Sequence, residues 1–149
     1  MTSTAINTSQ LPATRFIHVE REGAIEWLSL ARPDKSNALN VGLTDELYDF
    51  FGSLPDRQEV RVVVLRGSGK HFCAGYDLDD VDKLTSSVEQ ALRLQRRLSG
   101  VVVRMRRCPQ PVLGLIQGAA CGGGFALALG CDVRYAAPNA RMNVAMAKI

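Results

Sequence analysis

Strands alternating with helices predict an α/β fold with parallel pairing. Three observations carry this. Val60–Arg66 and Pro111–Gln117 are nearly continuous apolar runs, the pattern of strands covered on both faces. Apolar stripes at helical spacing lie before and between them. Each run hands over to a short stretch rich in glycine and other small residues.

The elements follow in order. Phe16–Glu20 and Ala24–Leu30 alternate as strands, with Arg21-Glu22-Gly23 as the turn of a hairpin. Residues 31–39 form a loop in which Pro33 breaks regular structure. A helix then starts at a cap, Asn40 or Thr44, and carries Leu43, Leu47, Phe50, Phe51 and Leu54 on its apolar side. Val60–Arg66 is a strand and residues 67–70 a turn. Val88–Arg107 is a long amphipathic helix with Ala91, Leu92, Leu94, Leu98, Val101, Val102 and Met105 inward, ended by Pro109 and Pro111. Val112–Ile116 is a strand, Gly123–Leu129 a short helix and Cys131–Ala136 a further strand. Residues 1–14 are rich in Ser, Thr and Asn and are expected to be a disordered tail before a single unit over residues 15–149.

Composition narrows the function classes. The 149 residues are 46% hydrophobic and 22% charged, as in a globular domain. A net charge of +3 without a basic tract argues against nucleic-acid binding. Arg104, Arg106 and Arg107 fit a helix C-terminus, where cations suit the dipole. Cys73, Cys108, Cys121 and Cys131 lack metal or redox spacing and read as buried free thiols in a reducing compartment. With no apolar leader and no stretch of transmembrane length, the chain is expected to be soluble and cytoplasmic, without membrane insertion.

The chemistry-bearing stretches are the two small-residue corners, His71–Asp77 and Gly118–Ala126. A lone glycine triplet makes only a tight turn. No GxGxxG or P-loop is present. Two such corners, each after a buried strand, can aim two backbone N–H groups at one oxygen, which is an oxyanion hole.

Phe72-Cys73-Ala74-Gly75-Tyr76-Asp77 resembles the F-x-A-G-x-D pattern of the crotonase superfamily (enoyl-CoA hydratase/isomerase), and Gly118–Gly124 its G-x-A-x-G-G-G pattern. Cys131-Asp132 resembles the family's C-D. Arg32-Pro33 with Asn37-Ala38-Leu39 resembles its R-P-x-x-x-N-A-L loop. The resemblance runs from about Phe16 to Ile149. It implies a spiral of β-β-α units, cut short at Ile149 within a domain expected to run on.

The resemblance also implies an acyl-CoA enzyme that polarises a thioester carbonyl, of the lyase or isomerase class. By match to the motifs, the donors are the N–H groups of Ala74 and Gly123. Gly75, Tyr76, Asp77 and Gly122 border the substrate, and Lys35, Ala38 and Leu39 contact the CoA end. Tyr76 is bulkier than the small residue often found there; narrowing the acyl pocket, offering a hydroxyl and simple packing all remain open. Asp77 and Asp132 read as structural. The two positions where hydratases carry glutamate hold Ala126 and Met146. Isomerase or other enolate chemistry is therefore at least as well supported as hydration, with a non-catalytic acyl-CoA binder or an inactive fragment as the alternative. No cofactor beyond the substrate's own CoA and no metal is implied. The full-length form is expected to be a homotrimer or hexamer.

Overall fold

The computed structural model describes residues 15–80 and 87–144. The expected tail over residues 1–14, and Met146, lie outside the described residues. Strands β1 (Ile17–Glu22), β2 (Ile25–Leu30), β3 (Val62–Gly67), β4 (Val112–Ile116) and β6 (Val133–Ala136) form one sheet in the order β1-β2-β3-β4-β6. β1 and β2 pair antiparallel; the other pairings are parallel. The hairpin turn is tighter than the sequence suggests. β1 runs through Arg21 and Glu22, and Gly23 at φ 61 supplies the left-handed turn residue.

Between the strands lie α1 (Val41–Ser53), α2 (Val88–Arg107) and α3 (Gly123–Gly130). Asn40 caps α1, its side chain accepting from Leu43 N–H at 2.8 Å; Thr44 is a buried helix residue instead. Pro33 does not merely break structure: it opens a one-turn 3-10 helix, Pro33–Lys35. Two short strands, β5 (Ala119–Cys121) and β7 (Arg141–Asn143), pair in parallel as a separate ribbon.

The core lies between the sheet and the helices. Leu43, Leu47, Phe50 and Phe51 of α1 are fully buried with Leu28, Leu65, Val112 and Ile116 of the sheet. Only the C-terminal half of α2 joins them, through Leu98, Val101 and Met105. Leu92, expected inward, is half exposed; the buried residues of α2 lie from Leu98 onward. Tyr48 of α1 fixes this crossing. Its ring lies between the Arg97 and Arg104 guanidinium groups, 3.7 and 3.4 Å from its centroid. Arg104 also donates to the Tyr48 carbonyl at 2.7 Å, and Arg106 pairs with Asp132 at 2.7 Å. The basic helix end is thus tied to the fold rather than merely solvated. β3 and β4 run side by side, so the segments leaving their carboxyl ends meet above the sheet edge.

Candidate functional site

The first corner, residues 71–77, is held by side chains from the loop after β2. Asn37 is fully buried at φ 54. It donates to the carbonyls of Ser68 (2.9 Å) and His71 (2.8 Å) and accepts from Arg32 N–H (2.9 Å). Asparagine tolerates the left-handed region better than most residues, and all three of these bonds are partly buried. Arg32 reaches Asp77 at 2.8 Å and also donates to the Ala38 carbonyl. Asp77 accepts in addition from Asp79 N–H at 3.2 Å. Burial pushes the Asp77 carboxyl up, but Arg32, the Asp79 N–H and Lys35 outweigh it and hold it below its usual value. Asp77 is thus an anion paired within the fold, and it is not among the residues that line the cleft described below.

The second corner, residues 118–126, is shaped by the absence of side chains. Gly118 (φ 56) and Gly122 (φ 50) take left-handed backbone. A Cβ on Gly124 would overlap the Cys73 carbonyl oxygen, and one on Gly75 would come within 2.8 Å of the Cys121 carbonyl oxygen and 3.7 Å of Gly123 N. The corners are stitched together by Phe72 N–H to Gln117, Cys73 N–H to Ala119 and Cys121 N–H to Cys73, at 2.7–3.0 Å. His71 Nδ1 accepts from Ala119 N–H at 3.1 Å. Burial pushes the Cys73 and Cys131 thiols up to about 12, so both are protonated and inert. Cys108 and Cys121 are only partly buried, against expectation.

Where the corners meet, a cleft of about 300 Å³ opens, lined by Tyr76, Gly122, Gly123 and Ala126 on one side and by Gln95, Leu98, Ser99 and Val102 of α2 on the other. Two backbone N–H groups in its wall have no acceptor among the described residues. Gly123 is the first residue of α3, where an N–H has no partner within the helix. Tyr76 is the second: Asp77 N–H donates to the Leu39 carbonyl at 3.0 Å, so the preceding N–H faces the other way.

The structure corrects the expected partner of Gly123. The Ala74 N–H is engaged with the Ser36 carbonyl at 3.0 Å, and Ala74 is exposed outside the cleft lining. The residues expected at the CoA end are placed as follows. Leu39 is buried in the core with its N–H on the Gly75 carbonyl. Ala38 is buried, its N–H on the Lys35 carbonyl. Neither presents a free group. Lys35 is exposed and pairs with Asp79 at 3.2 Å. Gly75 is a buried spacer whose missing side chain lets the corners meet. Gln95 and Ser99 were invisible as site residues; their one signal is a polar pair one turn apart beside the apolar Leu98–Val102 pair.

Parallel strands delivering two backbone donors to one cleft define the N-terminal part of a crotonase-superfamily domain. Within that superfamily, the chain belongs to the enoyl-CoA hydratase/isomerase family, whose model matches residues 20–149. It is 30% identical to the peroxisomal Delta(3,5)-Delta(2,4)-dienoyl-CoA isomerase of Arabidopsis thaliana, over 87% of this chain and 50% of that protein. It is 32% identical to the 1,2-epoxyphenylacetyl-CoA isomerase of Escherichia coli (strain K12), over 89% and 50%. The crystal structure of an enoyl-CoA hydratase from Bacillus anthracis superposes with a TM-score of 0.83 at 31% identity, covering 90% of this chain and 52% of the other. The chain spans about half the length of the curated relatives it matches. No helix among the described residues is long and apolar enough to cross a membrane.

Proposed function

We propose that the cleft takes the thioester group of an acyl-CoA and that the N–H groups of Tyr76 and Gly123 donate to its carbonyl oxygen. One observation carries this reading: two backbone donors without acceptors line the same cleft. Charge that develops on a thioester oxygen as an enolate forms is stabilised by such preorganised donors, and losing one costs about 2.7–4 kcal/mol. The dipole of an eight-residue helix opening at Gly123 adds positive potential there. The names of the two isomerases and of the solved hydratase support a CoA thioester as the ligand.

An isomerisation or another enolate step is at least as well supported as hydration. Ala126 lines the cleft and has no proton to give or take. Tyr76 is the one titratable side chain among the described residues of the lining, and burial pushes its hydroxyl up, so it stays a neutral donor. The same scarcity of acid and base favours a second reading, an acyl-CoA binder without turnover.

Calorimetric titration with crotonyl-CoA and with free CoA tests both readings, with product analysis alongside. Crotonyl-CoA is expected to bind more tightly than free CoA. Equal binding of the two ligands contradicts the proposal. Tight binding with crotonyl-CoA and other enoyl-CoA esters recovered unchanged selects the binder.

A further inference from the structure

The α2 wall of the cleft carries an unassigned pair of polar groups. Tyr76 Oη donates to Gln95 Oε1 at 2.9 Å across the cleft. The Gln95 carboxamide N–H groups and the Ser99 hydroxyl, one helical turn on, have no acceptor among the described residues. Leu98 and Val102 make the rest of that wall apolar, and no charged side chain lines the cleft among the described residues.

We infer that Tyr76, Gln95 and Ser99 form a subsite for a neutral oxygen on the acyl group, so that the chain selects oxo- or hydroxyacyl-CoA esters over hydrocarbon ones. This rests on the acyl-CoA reading above and deepens it. The geometry follows from one residue serving twice. Tyr76 N–H meets the thioester oxygen, and its hydroxyl lies the length of the side chain away, beside Gln95. An acyl chain leaving the thioester along the cleft passes these groups beyond its β-carbon. A plain alkyl chain there would cover the Gln95 and Ser99 donors without giving them an acceptor, and a covered polar group without a partner is costly. A ketone or hydroxyl oxygen accepts from Gln95 Nε2 and Ser99 Oγ while Tyr76 keeps its bond to Gln95 Oε1. Because the distal oxygen is an acceptor, the subsite also distinguishes a ketone from a methylene of nearly equal size, which packing alone does poorly.

The test is a matched pair of ligands on the 149-residue chain, levulinoyl-CoA and pentanoyl-CoA, with free CoA as reference. They have the same carbon count and differ by one ketone oxygen beyond the β-carbon. Levulinoyl-CoA is expected to bind roughly 3- to 10-fold more tightly than pentanoyl-CoA, the equivalent of one net hydrogen bond. Gln95→Leu and Ser99→Ala are exposed-face substitutions on α2, and each should bring the ratio towards one; retained helix content by circular dichroism shows that the fold survives. A wild-type ratio of one, or a ratio unchanged in both variants, overturns the inference and leaves the thioester reading standing. If both esters bind no better than free CoA, the thioester reading itself fails and this inference falls with it.

Discussion

The two corners of the cleft do the same job with opposite means. The corner after β3 is held in place by polar side chains: Asn37 bridges three backbone groups and Arg32 pins Asp77. The corner after β4 is held by what is missing: Gly118, Gly122 and Gly124 allow left-handed backbone and close approach to Cys73. The first can be loosened by degrees, one hydrogen bond at a time. The second tolerates no added atom where backbone already touches backbone.

The largest effect should come from Gly124→Val. Its Cβ would overlap the Cys73 carbonyl, which is itself bonded to Cys121 N–H, so neither side can yield cheaply. A loss of about 3 kcal/mol in urea unfolding is expected, at the upper end for overpacking. Full stability in this variant would mean that the corners are not in contact.

Asn37→Ala should cost about 2 kcal/mol in the same measurement. It leaves partly buried carbonyls and an N–H unpaired and puts alanine at positive φ. Asn37→Gly removes the backbone part of that cost but not the hydrogen-bond part. The difference between the two variants therefore separates the two contributions.

The smallest effect is pH-dependent. Asp77 titrates below its unfolded value of about 3.9. Its ion pair therefore contributes fully above about pH 4, and the contribution fades as pH falls through the lower folded value. Asp77→Asn is expected to make stability decline less steeply below pH 4. An unchanged acid limb would mean that the Arg32 pair adds nothing to stability.

The same contrast explains what could be read from the sequence. Both corners were legible as corners, because glycine clusters after buried apolar runs have few other uses. The main strands and helices were legible from their periodicity, and α2 was placed at its observed bounds. β5 and β7 were not, since three residues show no period. The buried stripe of α2 is shorter than its periodicity suggests: Leu92 has helical spacing but is half exposed among the described residues. Under the proposed function the donor in the first corner is Tyr76, two residues after the expected Ala74. Ala74 and Tyr76 are equivalent by pattern, and only the Ser36 carbonyl, from a loop far off in sequence, decides which N–H is engaged. Gly123 needed no such partner, because an N–H at a helix start is free by construction.

Amide chemical shifts of the ¹⁵N-labelled chain during titration with crotonyl-CoA test the central claim most directly, since they report each donor separately. The account predicts that the amide protons of Tyr76 and Gly123 move downfield as they gain an acceptor, while that of Ala74, already bonded to Ser36, stays in place. A downfield shift at Ala74 with Tyr76 unmoved would contradict it.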